Sequence, residues 1–102
     1  MKEEKFNMFG SNWTVKYADT IETDEGGFQF GLTDYVNRVI CVATKDSNGK
    51  PLPKEEVELT KLHELTHCIL GTGMYSELSS TEPLVEWIAR CIYSLRQQKM
   101  IK

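Results

Sequence analysis

The spacing of apolar positions changes along this chain from a period of two to a helical period, so a β-forming part precedes an α-forming part. Trp13, Val15 and Tyr17 alternate with Thr14 and Lys16, as expected of a strand with one buried face. After the turn-forming run Asp24-Glu25-Gly26-Gly27, residues 28–33 read as a second strand. Arg38 to Thr44 reads as a third, and its run Val39-Ile40-Cys41-Val42 is rich in β-branched residues and predicts deeper burial. Asp34-Tyr35-Val36-Asn37 reads as the hairpin connection between the last two. The expected product is a small antiparallel three-stranded sheet. Residues 1–11, which run into Gly10-Ser11-Asn12, are expected to be a loosely held flexible arm.

Lys45 to Pro53 is dense in turn formers and ends the β part. From Pro53 to Leu70, Val57, Leu62, Leu65 and Ile69 recur at three- to five-residue intervals, which predicts a helix stopped by Gly71 and Gly73. Ser79-Ser80-Thr81-Glu82-Pro83 predicts a second helix start with Pro83 at the first helical position. Its expected apolar stripe is Leu84, Ile88, Cys91, Ile92 and Leu95, and Arg96 and Lys99 favour its C-terminal end. The fold class is therefore α+β, a three-stranded sheet followed by two helices.

Composition narrows the function classes. At 102 residues the chain suits one domain, 1–102. Twelve Lys+Arg against 15 Asp+Glu leave a net charge of -3, which provides no electrostatic footing for nucleic acid. No apolar run approaches the roughly 18 residues of a membrane span, and the N-terminus lacks a signal-peptide pattern. Cys41, Cys68 and Cys91 are too far apart for a metal knuckle and odd in number, so reduced thiols and a cytoplasmic location are expected. Nothing in the pattern specifies an oligomeric state.

The chemistry is concentrated in the first predicted helix. His63-Glu64-Leu65-Thr66-His67 contains both histidines of the chain in HExxH spacing. Residues four apart lie one turn apart on one helix face, so both imidazoles can reach one ion. They supply two of the three protein ligands of an open catalytic zinc site, and Glu64 is placed to take a proton from the attacking water. With no third histidine, a carboxylate must complete the set. Glu77 reads as a solvated side chain. Glu82 is the first choice of ligand, with Glu86 either the second choice or the acceptor that holds a ligand imidazole by its other N–H. Tyr75 and Tyr93 are candidate stabilisers of a developing oxyanion. Cys68 is turned away from His67 toward the core, and Trp87, off the apolar stripe, could serve a partner surface.

The series His63-Glu64-x-x-His67 followed by Glu82-x-x-Val85-Glu86-x-Ile88-Ala89 resembles the gluzincin arrangement, in particular that of small phage and prophage proteins related to the ImmA/IrrE-type metallopeptidases. Gly31-Leu32-Thr33-Asp34-Tyr35 and Arg38-Val39-Ile40-Cys41-Val42 resemble the strand region that precedes the motif in such proteins. The resemblance implies a minimal zincin-like fold, Zn2+ as cofactor, a protein or peptide substrate and a phage or prophage origin. It implies zinc-dependent peptide hydrolysis with His63, His67 and Glu82 on the metal and Glu64 as the base. The alternative is a zinc-stabilised phage regulatory or protein-binding module with little or no catalysis.

Overall fold

The computed structural model describes residues 2–73 and 75–102. In chain order it contains β1 (Glu4–Met8), β2 (Ser11–Ala18), β3 (Ile21–Glu22), β4 (Phe28–Gln29), β5 (Gly31–Asp34), β6 (Val39–Ala43), α1 (Lys54–Gly71), a short 3₁₀ segment (Ser76–Ser80) and α2 (Glu82–Gln97). The class is α+β as expected, but the sheet is not a three-stranded antiparallel one. It has four strands in the order β1-β2-β6-β5, and it is mixed.

Two hairpins lie side by side. β1 pairs with β2 and β5 with β6, both antiparallel, while the inner strands β2 and β6 run parallel. Parallel neighbours need a long crossover rather than a tight turn. Residues 19–38 provide it, and they contain the β3–β4 ribbon and β5. The run read as one strand over 28–33 breaks at Phe30, because Phe28 and Gln29 pair with β3 whereas Gly31–Asp34 pair with β6.

Within the segment 1–11 expected to be a flexible arm, Glu4–Met8 instead form an edge strand. Phe9 and Gly10 turn the chain back with φ of 49° and 91°, the double left-handed conformation of a two-residue hairpin loop. Asn7 braces the turn, accepting from the Gly10 N–H at 2.8 Å and donating to Asn12 at 2.9 Å. Glu4 ties the strand to the body of the protein by accepting from the Tyr17 hydroxyl and pairing with Lys61 of α1.

The core lies between the sheet and α1. Trp13 and Val15 of β2 and Ile40 and Val42 of β6 face Val57 and Cys68 of α1, with Phe6, Tyr17, Leu52 and Leu65 packed around them. The period of two in β2 is thus real burial. The opposite side of α1 is buried as well, at Leu62 and Thr66, because α2 packs there through Val85 and Ala89. Layers therefore run sheet, α1, α2. The centre of α2's buried face is Val85 and Ala89, small enough for close helix approach, rather than the predicted Leu84–Leu95 stripe, of which Leu95 is exposed. The three cysteines are free thiols. No helix among the described residues is long and apolar enough to cross a membrane.

Candidate metal centre

The middle of α1 presents His63 and His67 on one flank, at the seam with α2 and the 3₁₀ segment. Glu82, the first residue of α2, meets both. Its two carboxylate oxygens lie 3.0 Å from His63 Nε2 and 3.0 Å from His67 Nε2. One donor atom from each of the three residues fits within 4.8 Å of the others. A tetrahedral site with bonds of about 2.0–2.1 Å has donor atoms roughly 3.3 Å apart, so the set is close to the spacing an ion needs. Two imidazole nitrogens and a carboxylate oxygen suit zinc and other first-row divalent ions alike.

The outer nitrogens are also held. His63 Nδ1 lies 2.9 Å from Glu86 Oε1, and Arg90 donates to the other Glu86 oxygen at 2.7 Å. Both nitrogens of His63 face a carboxylate oxygen, Nδ1 that of Glu86 and Nε2 that of Glu82; with Nδ1–H donating to Glu86, Nε2 is the nitrogen that could offer its lone pair to an ion held between it and Glu82. Partial burial opposes ionisation of Glu86, but hydrogen bonds from His63 and Arg90 and the Arg90 charge outweigh it and hold the carboxyl below its usual range. His67 Nδ1 lies 3.0 Å from Ser79 Oγ, and the Tyr35 hydroxyl donates to the His67 carbonyl at 2.7 Å.

Glu64 lies beside the two histidines on the sheet-facing side of the helix, beneath the edge strand β5. Its carboxylate accepts from the Thr33 hydroxyl at 2.7 Å, and the residue is only 7% exposed. Desolvation raises its carboxyl above the ordinary range, opposed by the Thr33 hydrogen bond and the neighbouring His63 and His67. A cleft of about 820 Å³ runs over these groups, with β5 on one wall and Glu82, Glu86 and Arg90 on the other.

Gly31 is what lets β5 lie this close. A Cβ there would stand 2.8 Å from Glu64 Cγ, Glu64 Oε2 and Thr60 Cγ2. Its φ is not left-handed, so the demand is for space. Gly31→Ala is expected to cost about 1–3 kcal/mol, the range for overpacking, measured by urea denaturation. Unchanged or higher stability would mean that strand and helix are not in tight contact.

Of the sequence-selected residues, His63, Glu64, His67, Glu82 and Glu86 all line the cleft. Tyr75 and Tyr93 are not among its lining residues: Tyr75 is exposed and Tyr93 faces a separate concavity with Tyr17 and Lys54. Glu77 is exposed, Cys68 is buried against the sheet and Trp87 is exposed on α2. Ser79, Tyr35, Thr33 and Arg90 were not selected. Ser79 and Tyr35 carried only helix-start and hairpin signals, and their approach to His67 depends on how separate elements dock. No family model, no curated protein and no solved structure matches the chain.

Proposed function

We propose that this protein is a zinc-dependent metallopeptidase-like hydrolase that cleaves peptide bonds in an extended protein or peptide substrate. The observation that carries the reading is Glu64, a buried carboxylate one residue from a ligand-type histidine, on the floor of a cleft and adjacent to the His63, His67 and Glu82 donor set. A metal that only braces a fold has no use for such a group. The residues that would hold the ion are His63, His67 and Glu82, with Glu86 and Ser79 fixing the imidazoles. When bound, zinc supplies Lewis acidity, polarising a carbonyl and making a water acidic near neutral pH. Glu64 then takes a proton from the attacking water and returns it to the leaving nitrogen. Burial raises its affinity for a proton above that of an ordinary carboxylate, which suits a group that both accepts and donates one.

Substrate alignment comes from β5. It is an end strand of the sheet, and the Ala43 N–H donates to the Phe30 carbonyl at 2.8 Å. By antiparallel alternation the main-chain groups of Leu32 and Asp34 also face β6, so those of Gly31 and Thr33 face outward along the cleft. An extended peptide can add there through main-chain hydrogen bonds, with its carbonyls running past Glu64. This is also the activity implied by the resemblance of residues 63–67 and 82–89 to the gluzincin pattern.

The test is direct. Zn2+-loaded protein incubated with a mixture of unstructured peptides is expected to yield new termini by mass spectrometry, lost with a chelator and regained with Zn2+. Stoichiometric zinc without cleavage would favour a second reading, a metal-braced binding module. One observation favours that alternative: Glu82 joins both α1 histidines from the first turn of α2, so an ion there also staples the two helices.

A further inference from the structure

We infer that Ser79 and Tyr35 are positioning residues for His67, acting as one hydrogen-bonded unit that sets metal affinity and ties the centre to the β5–β6 hairpin. This rests on the metal-centre reading above. The two imidazoles are held differently. His63 Nδ1 is backed by a carboxylate, which can only accept, whereas His67 Nδ1 is backed by a hydroxyl. A serine can either accept a proton from Nδ1 or donate one to it. In the second case Nε2 carries the proton and has no lone pair for a metal.

Tyr35 favours the first case by offering the Ser79 proton another acceptor. Its hydroxyl proton goes to the His67 carbonyl at 2.7 Å, and its oxygen lies 3.0 Å from Ser79 Oγ, open to the Ser79 proton. Ser79 Oγ is then left as an acceptor for His67 Nδ1–H at 3.0 Å. The Ser79 proton thus has two acceptors away from Nδ1, the Tyr35 oxygen and, at 3.3 Å, the His67 carbonyl, and either choice leaves Ser79 Oγ to accept from His67 Nδ1–H. With the proton on Nδ1, His67 Nε2, 3.0 Å from Glu82 Oε1, has its lone pair available to an ion.

A second observation shows that the fold makes room for this unit. Gly71 ends α1 one turn beyond His67, where alanine would be the better helix former. A Cβ at Gly71 would stand 2.3 Å from the Tyr35 hydroxyl oxygen and 2.6 Å from two atoms of its ring. The glycine is a notch for the phenol. From the other side the Tyr35 ring meets the buried Trp13 edge to face, with centroids 6.1 Å apart. The phenol is thus seated between the core and the helix end, with its hydroxyl delivered to His67.

The experiment titrates Zn2+, and separately Co2+, into the metal-free full chain in competition with a chromophoric chelator. Ser79→Ala and Tyr35→Phe are each expected to weaken metal binding by about 10–100-fold, the range for losing an outer partner of a ligand histidine. Gly71→Ala is expected to do the same by pushing the phenol out. Tyr17→Phe, which loses the hydroxyl bond to Glu4 on another flank of α1, serves as the control for a general structural effect and is expected to bind as wild type. Wild-type affinity in the Ser79 and Tyr35 variants, or an equal loss in Tyr17→Phe, overturns the inference while leaving the metal centre standing. Absence of metal binding in the wild type overturns both.

Discussion

Replacing Glu64 with Gln is expected to lower peptide hydrolysis by about 10²–10⁴-fold, the usual contribution of a positioned acid–base group, while leaving one equivalent of metal bound. Glu64 is not in the donor set, so the ion does not depend on it. The substitution is also gentle on the fold. Gln keeps the oxygen that accepts from Thr33 and removes a carboxylate that burial disfavours. The sign of the pH effect follows. An acid whose folded-state pKa is raised binds its proton more tightly when folded, so it favours folding at low pH and loses that contribution as pH rises through the raised value. The metal-free Gln variant is therefore expected to be at least as stable as wild type at neutral pH and less pH-dependent from acid to neutral. Peptide cleavage and metal content on one preparation, with thermal melts of the metal-free protein across pH, check all three. Cleavage persisting at the wild-type rate would show that another group moves the proton.

Glu82→Gln is expected to remove stoichiometric metal and with it metal-dependent stability. Glu82 is the only carboxylate in the donor set and touches both ligand-type nitrogens, so an amide there loses the anionic member of the site. An ion present at a thousandfold excess over its dissociation constant stabilises the folded state by about 4 kcal/mol. For a domain of this size that raises Tm by roughly 15–30 °C. Wild type is expected to show such a shift on adding Zn2+, and Glu82→Gln almost none. Glu86→Gln, by contrast, removes only the partner of His63 Nδ1, and is expected to keep the metal with affinity reduced about 10–100-fold. The reverse ordering would make Glu86 the ligand.

How much of this was legible beforehand depended on whether the cause was local. The alternation at Trp13, Val15 and Tyr17, the helix through the HExxH residues and the proline start of α2 are all written within a few neighbouring positions, and each matches an observed element. β1 escaped because its reversal uses Phe9 in a left-handed conformation, where Asn or Gly is the usual signal. The parallel pairing of β2 with β6 escaped for a different reason. It joins Val15 to Ile40 across two hairpins, and no short-range pattern encodes which inner strands meet. Helix α1 has Val57 and Cys68 on one side and Leu62 and Thr66 on the other, so its apolar positions do not form a single stripe. At the site, the spacing of His63, Glu64 and His67 singled them out unaided. Ser79, Tyr35 and Thr33 gained their roles only through docking of the 3₁₀ segment and β5 onto α1.

The layering of sheet, α1 and α2 carries a consequence for hydrogen exchange. α1 is covered on opposite sides, so the amides between Val57 and Cys68 are expected to be among the slowest to exchange. α2 is held on α1 by buried Val85 and Ala89 and by the Arg96–Glu58 and His63–Glu86 contacts, and as the outer layer it is expected to exchange faster than α1. The donor set straddles that boundary, with two members on the slow-exchanging helix and one on the outer helix. If an ion is held there it would join the two helices, and α2 is then expected to gain exchange protection on adding metal.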